Sequence, residues 1–186
     1  MFGRSKSSAV RGKEFATQKD FEQVFTESMS ALHLLAYLLT ADKQKAEECF
    51  VGGLDDSVGG NPVFREWARS WSRRSIVKRA ISMIRPVPDA VNLSGDESSA
   101  AQDASSDCQT LADSITSLGP FPRFVFVMAV LEGYSTVECA LLLSTTRQSV
   151  MNASAEAIRY VTSCCPEPPE AAGEPPATWK TFFAAA

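Results

Sequence analysis

Histidine is the scarcest of the chemically versatile residues in this chain of 186 residues, with His33 as its one copy. A catalytic triad or an imidazole zinc site needs histidine beside a nucleophile, a carboxylate or further ligands. His33 lies in an apolar stretch without such partners at ligand spacing, so we interpret it as a packed or interfacial side chain. Neither Gly52-Gly53 nor Gly59-Gly60 precedes a Gly-Lys-Ser/Thr motif, which excludes a phosphate loop. We therefore expect no enzyme activity, no metal and no cofactor.

Cysteine pairs at metal-ligand spacing and long apolar runs are also missing. The five cysteines are odd in number, and the only close pair is the adjacent Cys164-Cys165, so neither a disulfide framework nor a CxxC site follows. The longest apolar stretch, Ala31 to Leu39, is far shorter than the roughly 20 residues that cross a bilayer. No signal peptide is evident before Asp20. We expect a cytoplasmic protein with reduced cysteines and no membrane insertion.

Strand alternation of useful length is absent, whereas apolar residues recur at spacings of three and four, which predicts an all-α fold. In the first half, we predict a helical segment that Asp20 caps and that continues to Leu39. A second helix begins after Asp42 and gives way to a loop over 55–61. A third runs from about Pro62 to Ile84. The apolar face of this third segment changes phase, so the helix is either buried on two faces or bent near residues 72–75.

The second half contains a predicted helix-turn-helix. Phe124 to Leu131 is a helical segment that Gly133 ends. Ser135 then caps a helix over 136–143, with Glu138 three residues on as its capping-box partner. A short turn leads to a longer helix over 147–161. This shape is typical of DNA-binding modules, although helix pairs with short turns are common in all-α proteins.

The net charge of −4 is a sum of opposed segments, which also mark the domain organisation. The N-terminal segment carries a net charge of +4, and the linker carries six acids and no base. We predict two small helical domains joined by a flexible acidic linker. The divisions are a basic disordered N-terminus at 1–19, a helical domain at 20–85, the linker at 86–117, a helix-turn-helix domain at 118–163 and a Pro/Ala-rich tail at 164–186.

The strongest charge signal lies between Pro62 and Arg85, where seven bases face Glu66 alone, a net charge of +6. Trp67 and Trp71 lie one helical turn apart among these bases. Guanidinium groups neutralise phosphates and aromatic rings stack on unpaired bases, which predicts a nucleic-acid surface. The same spacing is typical of a helix that buries both tryptophans in a core and leaves its arginines solvated. Spacing alone favours neither alternative.

Several motifs occur in a fixed order along the two predicted domains. Those of the first domain are the apolar run from Phe21 to Leu39, Thr40-Ala41-Asp42, Ala46-Glu47-Glu48 and Phe64-Arg65-Glu66-Trp67. Those of the second are Glu132-Gly133-Tyr134-Ser135, then Glu138, Ala140 and Leu143, and then Ser149-Val150. Together they resemble bacterial RNA polymerase sigma factors of the extracytoplasmic-function type. The resemblance implies a region-two-like helical bundle followed by a region-four-like helix-turn-helix.

The resemblance also implies three sets of contact residues. Residues for the promoter −10 element would be Arg65, Trp67, Arg69, Trp71, Arg73, Arg74, Lys78 and Arg79. Residues of the helix-turn-helix for DNA would be Thr146, Arg147, Gln148, Ser149, Asn152 and Arg159. Residues for contact with the polymerase would be Glu47, Glu48, Phe50 and Leu54.

Two hypotheses follow. The first is a sigma-factor-like transcription initiation protein whose partners are core RNA polymerase, promoter DNA and an anti-sigma or other regulatory protein. The second is a degenerate sigma-like protein that acts as a protein-interaction module without promoter recognition. The second rests on the predicted recognition helix, where Arg147 and Arg159 are the only bases and Glu156 opposes them. It rests also on Cys49-Phe50-Val51-Gly52-Gly53-Leu54, which stands where the family has an Asp-, Gln- and Glu-containing helix that contacts the polymerase. The small side chains of Ala153, Ala155 and Ala157 would then let a partner helix approach closely.

Overall fold

The computed structural model describes residues 15–88 and 110–164. Every regular element in these two ranges is helical, apart from an isolated antiparallel bridge between Phe15 and Phe64, so the all-α prediction is confirmed. The α-helices are α1 (Gln18–Glu27), α2 (Met29–Thr40), α3 (Lys43–Val58), α4 (Ala68–Ile84), α5 (Leu111–Ser117), α6 (Pro120–Phe126), α7 (Thr136–Leu142) and α8 (Arg147–Cys164). A 3-10 turn (Arg65–Trp67) precedes α4, and a π-helical turn (Val127–Leu131) follows α6.

The first predicted helical segment is two helices, because the chain leaves helical geometry at Ser28 (φ −109°, ψ 19°). Its predicted cap was also wrong. Thr17 is the N-cap of α1, and the carboxylate of Asp20 accepts a hydrogen bond from the Thr17 N–H at 2.8 Å. Asp20 is therefore the third residue of the helix, where its charge favours the N-terminal end of the helix dipole.

Helix α3 begins as predicted but ends later. Asp42 caps it by accepting from the Lys45 N–H at 2.8 Å. The predicted loop over 55–61 is wrong in its first half, because α3 continues to Val58. Gly52 and Gly53 lie inside this helix. Both are buried, and the absence of a side chain there lets α3 lie close against α4.

Helix α4 begins six residues later than the predicted start at Pro62, after the 3-10 turn. It is continuous through residues 72–75, and Ser75, Ile76 and Val77 are all buried. Three successive helical residues span about 200° around the axis, so no single face holds them. Of the two alternatives from the sequence, the structure favours burial on two faces.

The second half of the chain builds a compact helical unit. Helix α6 starts at Pro120 rather than at Phe124, since proline suits the first turn of a helix. Gly133 has φ +72°, a left-handed conformation that ends the preceding turn. The capping box of Ser135 with Glu138 is present as predicted, and α8 extends three residues beyond the predicted end, to Cys164.

The two halves share one hydrophobic core, in which α2 contacts α5, α6 and the π-helical turn. Arg123 lies at this junction with only 6% of its surface exposed. Its Nε donates to the Leu39 carbonyl at 3.1 Å, and its Nη1 donates to the carbonyls of Thr116 and Leu118 at 3.2 and 3.0 Å. Burial lowers the pKa of Arg123. A buried guanidinium is costly unless its N–H groups are hydrogen-bonded. The bond from Arg123 to the Leu39 carbonyl therefore fixes the position of α6 against the end of α2.

Several predictions fall wholly or largely outside the described residues. They concern the disordered N-terminus (1–19), most of the acidic linker (86–117) and the tail (164–186). Within the described ranges, α5 occupies the last part of the predicted linker. Also within them, we find no helix with the length and apolar character needed to cross a bilayer.

Candidate nucleic-acid interface

An aromatic cluster marks the start of α4. The rings of Phe15 and Phe64 stack with centroids 5.1 Å apart, and Trp67 meets Phe64 edge-on at 5.3 Å. Trp67 remains 53% exposed, whereas Trp71 is half-buried. The alternative in which both tryptophans belong to the core is therefore wrong for Trp67. An exposed indole beside bases is a surface on which a nucleobase can stack.

Four of the predicted −10 residues lie within ion-pair distance of acids from the same chain. These pairs are Arg65 with Asp20 at 2.7 Å, Arg69 with Glu27 at 3.7 Å, Arg79 with Asp56 at 3.9 Å, and Arg73 with Glu132. The net charge of +6 that the sequence assigns to this stretch is thus largely compensated in the fold. Asp20, Glu27 and Asp56 come from α1 and α3, which both contact α4.

The pair of Arg73 and Glu132 is the most buried of the four. Arg73 Nε donates to Glu132 Oε2 at 2.8 Å, and Arg73 Nη2 donates to Glu132 Oε1, which makes the contact bidentate. The side chains are 34% and 6% exposed. Hydrogen bonding to Glu132 raises the pKa of Arg73. This contact occupies the guanidinium plane that a phosphate would bind.

The remaining bases of α4 differ from these four. Lys78 is exposed, and its Nζ lies 5.5 Å from the centroid of the Trp71 ring, in cation-π geometry. Arg74 is half-buried and faces the loop before α7. Hydrogen bonds from Ser135 are the main cause of the lowered pKa of Glu138, and the positive charge of Arg74 lowers it further. Neither base lies within 4.0 Å of an acid among the described residues.

A cleft of about 450 Å³ lies between α4 and the loop that leads into α7. Trp67, Trp71 and Arg74 line one side of it, and Glu132 and Tyr134 line the other. Burial raises the pKa of the Tyr134 phenol. Within the described part of the chain, the cleft combines aromatic faces with a guanidinium group, but its far wall is acidic. None of the predicted DNA-binding residues of α8 lines this cleft.

The helix-turn-helix is formed by α7, a turn at 143–146 and α8. Ser144 in the turn has φ +51°, and the Thr146 Oγ1 caps α8 by accepting from the Ser149 N–H at 3.1 Å. Thr146 and Ser149 therefore order the start of the helix, and their contact with DNA stays a prediction. Gln148 donates to the Asn152 Oδ1 at 2.8 Å, which aligns two exposed amides along the helix.

The exposed face of α8 is mixed in character. Arg147, Gln148, Asn152 and Arg159 are exposed, as a DNA-binding helix requires. Met151 and Ile158 on the same helix are also exposed, by 49% and 43%. Arg159 Nε donates to the Ala155 carbonyl of its own helix at 3.3 Å.

The predicted polymerase contacts do not all lie at the surface. Glu47 and Glu48 are exposed on α3, and Glu48 accepts a hydrogen bond from Gln44 at 3.1 Å. Phe50 and Leu54 are half-buried and pack against the core. The ring of Phe50 lies edge-on to Phe25 at 5.2 Å, so its position is fixed by packing.

His33 behaves as the sequence suggests. It is half-buried, with its ring centroid 6.2 Å from that of Phe50. In the described portion of the chain, no three residues of the histidine, cysteine, aspartate and glutamate types cluster as metal ligands would.

The sequence did not identify Asp20, Glu132 or Tyr134 as residues of this surface. Tyr134 and Glu132 belong to the Glu-Gly-Tyr-Ser motif, but nothing local connects that motif with α4. The one sequence signal for them is the excess of bases in α4. Because a buried base is costly without an opposite charge, close packing of α4 requires acids from elsewhere in the chain.

No model of a known protein family matches the chain, and no curated protein is significantly similar to it in sequence. Among solved structures, the chain is similar to the sigma factor RpoE in complex with the anti-sigma factor NepR from Bartonella quintana. The two are 20% identical, with a TM-score of 0.45, and the match covers 78% of this chain and 96% of that chain.

Proposed function

We propose that the chain is a sigma-factor-like transcription initiation protein that binds core RNA polymerase and promoter DNA and performs no catalysis. The observation that carries the proposal is the helix-turn-helix of α7 and α8, whose second helix presents Arg147, Gln148 and Asn152 to solvent. Amide side chains bind base edges in the major groove, and guanidinium groups bind phosphates. Helix α8 has the length and exposed polar groups for this role.

In the same proposal, the start of α4 binds the opened strand. Trp67 is exposed and would stack on an unpaired base, while Arg74 and Lys78 would bind phosphates. Arg73 reaches a phosphate only when it leaves Glu132, because the carboxylate and the phosphate compete for one guanidinium plane. The exposed acids Glu47 and Glu48 would contact the polymerase. An anti-sigma or other regulatory protein would control the chain.

The test is co-purification with core RNA polymerase, followed by run-off transcription on genomic DNA. We expect the chain to bind the polymerase and to direct defined transcripts. Changing Arg73 and Arg74 together to Ala should weaken promoter binding and make its salt dependence shallower. Arg74→Gln alone keeps the ion pair of Arg73, so it tests the same point without risk to the fold. Lys43→Gln is the matched control on α3. Polymerase without transcripts, or unchanged salt dependence, contradicts the proposal.

A second candidate function is a protein-interaction module without promoter recognition. Two observations favour it: four bases of α4 are paired within the chain, and Met151 and Ile158 are exposed on the helix that would read DNA. The same co-purification distinguishes the two functions. The module would bind a regulator of sigma factors, would not bind polymerase, and would show no affinity for DNA at low salt.

A further inference from the structure

The solvent-facing side of α8 carries an apolar stripe, formed by Met151, Ala155 and Ile158. At 100° per residue, the three lie within about 60° of one another around the helix axis. All three are exposed, Met151 by 49% and Ile158 by 43%. The core contacts of α8 come from other positions of the helix, namely Val150, Ala153, Ala157 and Val161. The stripe is therefore an apolar surface that the fold itself does not use.

A polar stripe runs along α8 beside the apolar one. Gln148, Asn152 and Arg159 lie about 60–100° around the axis from Met151, with Ala155 between the two stripes. The Gln148 Nε2 donates to the Asn152 Oδ1 at 2.8 Å and aligns the two amides. Within the described chain, this contact leaves Asn152 the second lone pair of Oδ1 and its Nδ2 hydrogens. An acceptor beside a donor complements the N6 amino group and N7 of adenine.

Helix α8 has little charge with which to attract DNA. Its bases are Arg147 and Arg159 and its acid is Glu156, so two positive charges less one negative give a net charge of +1. Counterion release grows with the number of phosphates that a protein neutralises, and here that number is small. If α8 enters the major groove, its affinity must come largely from base contacts. The apolar stripe is available to make them.

We propose that α8 recognises A·T base pairs in the major groove, with Asn152 on adenine and the apolar stripe against thymine methyl groups. In an A·T pair, the N7 and amino group of adenine lie beside the O4 and C5-methyl group of thymine. The two stripes of α8 present the matching chemistries side by side. A G·C pair has no methyl group, and its guanine presents two acceptors, which arginine complements better than an amide does. The inference rests on the proposed function, because it assumes that α8 contacts DNA.

The experiment compares binding of the full chain to two fluorescent duplexes that differ only in the thymine methyl groups. One duplex alternates adenine with thymine, and the other alternates adenine with deoxyuridine. An alternating G·C duplex of the same length is the third probe. Fluorescence anisotropy at low salt gives the three dissociation constants. Burial of one methyl group is worth about fourfold in affinity, so one or two buried methyl groups should weaken binding of the deoxyuridine duplex by about 4–15-fold. The G·C duplex should bind more weakly than the A·T duplex.

Two variants assign the effect to the stripe. Met151→Ala with Ile158→Ala removes most of the apolar surface and leaves the amides in place. Both side chains are exposed and alanine favours a helix, so the fold should be kept. We expect this variant to bind the thymine and deoxyuridine duplexes equally. The matched control is Val51→Ala with Val58→Ala, which truncates two apolar side chains of α3 that are 59% and 40% exposed. The control should keep the preference of the unaltered chain.

Other outcomes overturn the inference. If the unaltered chain binds the thymine and deoxyuridine duplexes equally, or binds the G·C duplex as tightly, α8 does not recognise A·T pairs in this way and the proposed function stands. A methyl preference that survives Met151→Ala with Ile158→Ala, or that the control also loses, shows that the stripe is not its source. A chain that binds none of the duplexes but directs transcripts in the run-off assay keeps the proposed function without the inference. A chain that does neither loses both.

Discussion

Arg73 and Glu132 meet across 59 residues of chain and join α4 to the loop that opens the helix-turn-helix. The carboxylate is almost wholly buried, whereas about a third of the arginine side chain reaches solvent. A bidentate pair of this kind is stronger than a surface ion pair, since less water competes for either group. The two halves of the molecule are therefore held together by charge as well as by the shared core.

Glu132→Gln should destabilise the fold. The change removes the negative charge and leaves the half-buried guanidinium of Arg73 with a neutral acceptor, at a cost of about 1–3 kcal/mol. Glu27→Gln is the matched control, because Glu27 pairs with Arg69 at an exposed site and should cost less than about 1 kcal/mol. Urea unfolding of both variants measures the difference. Equal losses would show that the Arg73 pair contributes no more than a surface contact.

The same two variants should separate in DNA binding. Both lose one negative charge beside an arginine of the predicted −10 set, but Arg69 is exposed and can leave Glu27 without the change, whereas the bidentate contact with the buried Glu132 holds Arg73. We expect Glu132→Gln to gain affinity for a DNA duplex with an unpaired central bubble, with a salt slope steeper by about 0.7–0.9 than that of Glu27→Gln. Fluorescence anisotropy across a salt series measures both slopes. Coincident slopes would show that Arg73 binds no phosphate even when released.

Gly53→Ala and Gly52→Ala should differ in stability although the residues are adjacent. A Cβ at Gly53 would lie 2.5 Å from the Ile76 Cδ1 in a fully buried site, and this overpacking costs about 1–3 kcal/mol. A Cβ at Gly52 meets the guanidinium of Arg79, whose side chain is 42% exposed and can move. Alanine also favours the helix there by up to about 1 kcal/mol. Urea midpoints test the contrast, and equal destabilisation would contradict it.

Glu138 should make the start of α7 sensitive to acid. Hydrogen bonds from the Ser135 N–H and hydroxyl lower the pKa of this carboxyl. A carboxyl whose pKa is lowered by folding contributes stability above its unfolded pKa and loses it as the pH falls through the folded value. The Tm of the unaltered chain should exceed that of Glu138→Gln near neutrality, and the two should converge in acid. A difference that persists unchanged at low pH would exclude the charged capping box as its source.

The cysteines should react with alkylating reagents in an order set by burial. Burial raises the pKa of Cys49 to about 12 and that of Cys139 to about 11, so few of these thiols are ionised to the reactive thiolate at pH 8. Cys164 is partly exposed at the end of α8. Among the cysteines that the structure describes, iodoacetamide should label Cys164 before Cys49 and Cys139 in the native protein, and peptide fragmentation identifies the site. Early labelling of Cys49 would indicate that α3 and α4 separate readily.

Local interactions were predictable from the sequence. The caps at Asp42 and Ser135 connect groups three residues apart, and such contacts have a sequence signature. The break at Ser28 was not predictable, because apolar spacing continues through it. The continuation of α3 past Gly53 was missed for a related reason. Glycine disfavours an isolated helix, but here it permits the close approach of Ile76, and packing outweighs propensity.

Most of the candidate site depends on distant partners. The sequence predicts a basic helix with two tryptophans nearby, and α4 confirms the helix. The sequence left open whether the tryptophans are buried, and the structure leaves Trp67 exposed in the turn before α4. It contains no sign that Glu132 lies against Arg73, because a pairing over 59 residues depends on how the whole core assembles. The fold class followed from periodicity, whereas the electrostatic balance of the surface followed only from the tertiary structure.

The buried Arg123 has a consequence for local opening. Its guanidinium bonds to the carbonyl of Leu39 near the end of α2, 84 residues away in the chain, so neither helix can fray at this point without breaking a buried hydrogen bond. The amides of α2 and α6 should therefore exchange with solvent deuterium at one common, slow rate set by global unfolding, while those at the end of α8 exchange far faster.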